Sequence, residues 1–355
     1  MFTLAAWLHD LSPFLVRFTE TFGLRWYGLS YGAGFVVAWF MLQWFARRKM
    51  TPLSPERLSD AMLILVLGVV AGGRLGYAIF YDPQLLWSFS GTFPFWGLLR
   101  LTQGGMAFHG GTLGVLTATW LITRRARRDG VEVPWLHVCD LTAIACTPGL
   151  FFGRLANFVN GELLGDIVAQ PGRPAPWWAV KFPTEAFTKQ APEGQELALR
   201  PLIQPFRLPS ETYEQGYQHL LQVFRSGTPE AHALAAKLDP LIAARHPSQL
   251  YQGVTEGLIV GLILWLLWRT PARPGAIVTA FLISYGLARI VTEFFRLPDA
   301  HLQIQRIAGL SRGQWLSVAM IVAGLLVRIL VPKYKENFGG WARPKPEAGS
   351  PARPG

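Results

Sequence analysis

Seven stretches of mostly apolar residues, separated by shorter polar segments, constrain this 355-residue chain more than any other feature. A bilayer core about 30 Å thick is crossed by about 20 such residues in a helix, because inside lipid every backbone N–H and C=O must be bonded within its own segment. The stretches run from Trp26 to Phe45, Leu58 to Tyr81, Met106 to Thr123, Leu136 to Phe152, Gln249 to Trp268, Ala276 to Val291 and Trp315 to Val331. They predict an all-α polytopic membrane protein, a bundle of seven transmembrane helices. Composition points the same way: 51% of the residues are hydrophobic and only 15% are charged, where a soluble domain carries about 25%. The formal charge of +11 does not imply nucleic acid, since the basic residues form short clusters between apolar runs.

Those clusters set an orientation. Arg47, Arg48, Lys49 and Arg57 follow the first stretch, the four arginines from Arg124 to Arg128 the third, and Arg269 and Arg273 the fifth. Lys333, Lys335, Arg343, Lys345 and Arg353 follow the seventh. Basic loops stay cytoplasmic, so the N-terminus, an aromatic loop from Pro83 to Gly104 and a long polar segment are expected outside, and the C-terminus inside. The expected divisions are a four-span N-terminal half (1–165), an extracytoplasmic head segment (166–245), a three-span C-terminal half (246–332) and a basic, disordered cytoplasmic tail (333–355). Met1 to Leu24 contains His9, Asp10, Arg17 and Glu20, which is unlike a cleaved signal peptide, so the first span itself would direct insertion. Cys139 and Cys146 lie in an apolar run and are read as packing residues, with no metal or redox role.

Polar residues at the outer ends of these stretches exceed what span ends need. The densest set is Gly153-Arg154-Leu155-Ala156-Asn157-Phe158-Val159-Asn160-Gly161-Glu162-Leu163-Leu164-Gly165. An ion at the edge of a bilayer is costly unless it is paired or hydrated. Tyr27 opens the first span, where a role as an interfacial anchor and a functional one weigh equally. Arg74 interrupts the second, where a structural ion pair and a substrate contact weigh equally. His109 stands among glycines at the start of the third; its near-neutral pKa suits proton transfer, with a packing role as the alternative. Glu256 lies inside the fifth and needs a partner, for which Arg74 is a candidate. Tyr285, Arg289 and Glu293 are spaced four apart and Arg296 three further on, so they share one helix face. That face lines a polar cavity or a salt-bridged core. Arg154 and Arg289 belong to helix ends on the same side, and two guanidinium groups there suit a phosphate.

The motifs carry a family resemblance. GRLANFVNGELLG resembles the signature of the bacterial prolipoprotein diacylglyceryl transferases. WYG at Trp26, GGRLGY at Gly72, GMAFHGG at Gly105, RHPSQLY at Arg245, and Tyr285 through EFFRLPD at Glu293 follow in the family's order. The resemblance implies transfer of the diacylglyceryl group of phosphatidylglycerol to the lipobox cysteine of a preprolipoprotein signal peptide. Glycerol phosphate leaves, a thioether forms, and neither cofactor nor metal takes part. It also implies a bacterial inner (cytoplasmic) membrane location among membrane lipids. Carried onto this chain, Arg154 holds the lipid phosphate, with Asn157, Glu162, Gly165 and Arg296 around the headgroup. Arg289 meets the charge on the departing phosphate, His109 is the candidate base, and Tyr27, Tyr285 and Glu293 complete the polar wall. Two departures are visible: Tyr251-Gln252 stands where the family often reads Tyr-Glu, and the segment from Asp166 to Arg245 is long for the family.

A transporter for an anionic solute is the rival reading. It calls for inverted repeats and broken helices at mid-membrane, and this sequence shows no internal repeat. A scaffold whose outer segment binds a partner leaves the inward-facing ions without a purpose.

Overall fold

The computed structural model describes residues 6–18, 23–100, 104–297, 306–330 and 337–340. The expected cytoplasmic tail lies almost wholly outside the described residues, as does Asp299 of the EFFRLPD motif. Long helices form first as α1 (Trp26–Arg47), α2 (Pro55–Phe80), α3 (Phe108–Arg128) and α4 (Trp135–Asn160). Three shorter ones follow, α5 (Gln195–Ile203), α6 (Tyr213–Phe224) and α7 (Pro229–Leu238). The chain then returns to long helices with α8 (Ser248–Trp268), α9 (Ala276–Thr292) and α10 (Arg312–Leu330).

Each of the seven apolar stretches therefore contributes a long helix, but only six of these helices are long and apolar enough to cross a membrane. The exception is α3. Gly110, Gly111, Gly114, Thr112, Thr117 and Thr119 dilute its apolar content, and Arg124, Arg125, Arg127 and Arg128 fill its last turns. The fourth helix departs from expectation in the opposite direction. It continues through GRLANFVN to Asn160 instead of ending at Phe152, so Arg154 and Asn157 sit on a helix one turn apart.

Contacts divide the chain into two compact units, one comprising Met1–Phe35, Thr147–Gly261 and Leu282–Ala323, the other Val36–Cys146, Leu262–Phe281 and Gly324–Gly355. In the second unit, α2 and α3 pack backbone to backbone. Gly68, Gly72 and Gly76 recur every fourth residue and so line one face of α2. A Cβ on Gly76 would lie 2.6 Å from the Gly110 Cα, and one on Gly72 would lie 2.8 Å from the Gly114 Cα and meet the Gly110 carbonyl. Only glycine permits this approach, which small residues commonly provide between membrane helices. Arg74, on the same helix, is buried. It donates to the carbonyls of Leu98 at 2.8 Å, Gly97 at 2.9 Å, Gly105 at 3.0 Å and Arg100 at 3.3 Å, and also to that of Gly104. The aromatic loop that follows α2 is thus clamped by a cation whose donors all face peptide carbonyls. Cys139 is buried, with its thiol 3.8 Å from the Thr119 hydroxyl.

In the first unit, the polar segment 166–245 has a core of its own. Leu199 and Ile203 of α5, Tyr217, Leu220, Leu221 and Phe224 of α6, and Leu234 and Leu238 of α7 bury their side chains together. Thr212 and Gln215 form a reciprocal capping box at the start of α6, and Thr228 caps α7 ahead of Pro229. A four-stranded sheet lies beside these helices in sequence. Its strands are β1 (Trp7–Leu8), β2 (Ile167–Ala169), β3 (Val180–Lys181) and β4 (Ala244–Arg245), in the spatial order β1-β3-β4-β2. Arg245 of β4 forms an ion pair with Glu185, in the turn that follows β3, and neither side chain has exposed surface. Arg245 also donates to the Gly165 carbonyl at 3.0 Å and the Gln190 carbonyl at 2.7 Å. The arginine of RHPSQLY is therefore committed to holding the segment's two ends.

Replacing Gly72 by Leu should force α2 and α3 apart and cost about 1–3 kcal/mol or more, the range for overpacking a close-packed site. Thermal unfolding of the detergent-solubilised protein, followed by circular dichroism, measures this. An unchanged melting temperature would contradict the backbone-to-backbone packing.

Candidate active site

The site in the first unit is built around Glu256, which has no exposed side-chain surface. It lies in a π-helical stretch of α8, Gly253–Ile259. Such a stretch adds a residue per turn and re-aims its side chains, and it occurs most often where a helix carries function. The same stretch carries Gly253 and Gly257, and Gly261 follows one turn later. A Cβ on Gly257 would lie 2.8 Å from the Phe151 Cα, and one on Gly261 would lie 2.9 Å from the Thr147 hydroxyl. These glycines let α4 lie close against α8. Arg154, one turn beyond Phe151, then reaches Glu256 at 3.1 Å.

The ions alternate from there. Glu256 also accepts from Arg289 at 3.4 Å and from the Thr292 hydroxyl at 3.0 Å. Arg289 reaches Glu293 on the next turn of its helix at 3.0 Å, and Arg296 lies 3.5 Å from the same carboxylate. The Ser311 hydroxyl donates to Glu293 at 3.2 Å. Glu293 is closely enclosed, since a Cβ on Gly313 would lie 2.9 Å from its oxygen. These contacts join three guanidinium groups and two carboxylates. Charges largely taken out of water interact several times more strongly than exposed ones, and guanidinium groups held in place in this way are suited to an anion.

The end of α4 supplies the polar rim. Gly161 adopts a φ of +66°, the left-handed conformation that ends a helix without a Cβ penalty. The Glu162 amide then donates back to the Asn157 carbonyl at 2.9 Å. This turn folds the Glu162 carboxylate over its own helix, where Asn160 donates to it at 3.0 Å and Asn157 at 3.4 Å. Ser248 fixes the next residue by donating to the Leu163 carbonyl at 3.0 Å. Gly165 pairs with Arg296 as an isolated backbone bridge, and a Cβ there would come within 2.9 Å of the Phe295 carbonyl. It is a point of close backbone approach. Nearby, His246 stacks on Trp178 and contacts Tyr251 and Phe295, and burial lowers its basicity, partly opposed by Asp166.

Most of the residues singled out from the sequence thus converge within the first unit. Arg154, Arg289, Glu293 and Arg296 share one ion network, and Asn157 with Glu162 forms the turn at the end of α4. Tyr285 lies within electrostatic reach of Arg289. The Tyr27 ring lies tilted against that of Tyr31, whose hydroxyl is 3.4 Å from its own, and Tyr31 lies within electrostatic reach of Arg154 and Glu162. His109 belongs to the other unit, exposed on the first turn of α3 beside the ring of Phe108. The expected pairing of Arg74 with Glu256 does not occur. Arg74 spends its donors on peptide carbonyls, and Glu256 is taken by two other arginines. Tyr31, Thr292 and Ser311 were missed. For Tyr31 and Thr292 a signal existed, since each falls one helical turn from a residue already marked, Tyr27 and Arg289. Among the described residues, no group of three His, Cys, Asp or Glu side chains is placed to hold a metal ion.

Removing the Glu256 carboxylate should leave two largely enclosed guanidinium groups without their shared partner. Glu256→Leu is expected to cost about 3–5 kcal/mol, the usual penalty for breaking a buried ion pair from one side. A thermal shift assay on purified protein checks this, and stability equal to the parent's would contradict the network.

Comparison with known proteins places the geometry in context. The family model described as prolipoprotein diacylglyceryl transferase matches residues 13–330. The phosphatidylglycerol–prolipoprotein diacylglyceryl transferase of Bdellovibrio bacteriovorus is 39% identical over 352 residues, covering 95% of this chain and 97% of that protein. A protein of the same name from Ruegeria pomeroyi is 37% identical, covering 89% of this chain and 94% of its own length. One from Rhodospirillum rubrum is 36% identical, covering 92% and 94%.

Proposed function

The chain belongs to the prolipoprotein diacylglyceryl transferase family, and from that premise we propose that it transfers the diacylglyceryl group of phosphatidylglycerol to a prolipoprotein cysteine. The acceptor is the lipobox cysteine at the end of a signal peptide, presented at the outer leaflet of a bacterial inner membrane. The observation that carries this reading is the pair of partly exposed arginines, Arg154 and Arg289, held on either side of the buried Glu256.

The chemistry explains why two cations are useful. Phosphatidylglycerol is a phosphate diester with one negative charge. The acceptor sulfur attacks the diacylglyceryl CH2, an S–C bond forms, and the C–O bond to phosphorus breaks. Glycerol phosphate departs as a monoester carrying a second negative charge. Arg154 holds the diester in the ground state. Arg289 stabilises the charge that appears only as the bond breaks, and a pre-placed cation is most effective in that role. Glu256 and Glu293 keep the guanidinium planes fixed, so little reorganisation accompanies the step. Asn157, Glu162, Gly165 and Arg296 surround the glycerol headgroup, and Tyr27 and Tyr285 complete the wall. The thiol must lose its proton to become reactive, and His109 is assigned that proton from the family resemblance.

The same proposal includes α3 as a seventh span, with the N-terminus and the segment 166–245 outside and the C-terminus in the cytoplasm. The divisions 1–165, 166–245, 246–332 and 333–355 follow from that topology. Its support is the alternation of basic loops. No feature of the chain favours a solute transporter.

Arg154→Ala and Arg289→Ala should each lower transfer to a lipobox peptide by about 10²–10³-fold, the usual loss on removing one transition-state donor, while the protein still inserts into the membrane. Near-normal turnover in either variant would remove that residue from the site. A reporter fused after Arg128 should be cytoplasmic and one within 166–245 external. The reverse pattern would overturn the topology.

A further inference from the structure

The other end of α3 carries a second basic feature that the transfer reaction does not use. Fifteen residues separate Arg124 from His109 on that helix, which at 1.5 Å per residue is about 22 Å. Of the cations nearby, Arg125 pairs with Asp60 at 3.2 Å and Arg57 with Asp129 at 2.6 Å. Arg124, Arg127 and Arg128 have no carboxylate partner among the described residues. Together with Trp120, Thr123 and Trp135 they line one cleft.

That cleft is shaped by its neighbours. The Arg124 guanidinium lies over the Trp120 ring, 5.2 Å from its centroid. Arg127 is oriented by donating its Nε–H to the Val133 carbonyl at 3.3 Å. The Trp135 indole is fixed by a 2.9 Å bond to the Thr119 hydroxyl. The helix C-terminus adds about half a negative charge, which is small against three guanidinium groups. The cleft is therefore electropositive.

An apolar track leads into it. Leu113, Leu116 and Trp120 are all exposed, and with Arg124 and Arg127 they recur at helical spacing along one face of α3. Acyl chains follow such a face, tryptophan favours the headgroup depth, and arginine binds phosphate through paired N–H donors. We propose that this cleft is a binding site for an anionic phospholipid, with the phosphate on Arg124, Arg127 and Arg128 and the chains along Leu113 and Leu116. It is separate from the substrate site around Glu256 and does not depend on the transfer reaction.

Native mass spectrometry of the full-length protein in detergent, titrated with phosphatidylglycerol or with phosphatidylcholine, tests this. The parent protein, R125Q and R154A should each retain a phosphatidylglycerol molecule that R124Q/R127Q/R128Q does not hold, and phosphatidylcholine should not replace it. Each arginine removed should weaken that binding about fivefold, the effect of one basic residue near an anionic lipid surface. If the triple variant does not remain monodisperse, R124Q and R128Q singly carry the same test. Equal phosphatidylglycerol retention by the parent and R124Q/R127Q/R128Q would overturn the proposal. Displacement of the lipid by millimolar inorganic phosphate would also overturn it, since the cleft would then be a site for a soluble anion.

Discussion

A carboxylate without solvent, Glu256, is the constraint on which the site depends. Arg154 and Arg289 come from α4 and α9, and each alone would be costly to bury. Glu256 offsets both, and Thr292 takes part of its remaining hydrogen-bonding capacity. The arrangement requires α8 to lie against α4, which the small residues Gly253, Gly257 and Gly261 permit. It also requires the π-helical turn that carries Glu256. Packing, helix geometry and charge therefore meet at one residue.

The two helix-packing devices in the chain serve different ends. On α2, glycines every fourth residue bring in α3 and leave Arg74 free to gather the loop carbonyls behind it. On α8, a similar spacing of glycines sets an acid beside an arginine of α4. Arg74 and Arg154 look alike as isolated cations in apolar sequence. The first is saturated by peptide groups and is structural. The second is held by a carboxylate it shares with another arginine.

Much of this was legible in the sequence, for reasons that particular residues make plain. Seven apolar stretches became seven long helices, because lipid-length hydrophobic runs leave the backbone few alternatives. The i, i+4 spacing of Tyr285, Arg289 and Glu293 put them on one face, whereas the fourth apolar stretch, read as ending at Phe152, hid the continuation of α4 to Asn160. What stayed hidden was set by tertiary contact. The partner of Glu256 could not be read from spacing, since Arg74, Arg154 and Arg289 were all cations in apolar surroundings. The composition of α3 falls short of a membrane span because its glycines serve packing against α2. The segment 166–245 showed its polarity, but the core of Leu199, Tyr217, Leu220 and Leu238 appears only when three short amphipathic helices close on each other.

Diacylglyceryl transfer by the Glu256-centred site is open to one direct measurement. Purified protein is incubated with phosphatidylglycerol and a synthetic peptide bearing a lipobox cysteine, and the peptide's mass is recorded. The account predicts a peptide heavier by one diacylglyceryl group, bound through sulfur, with glycerol phosphate released in equal amount. A peptide of unchanged mass, under conditions where the protein remains folded and binds phosphatidylglycerol, would contradict it.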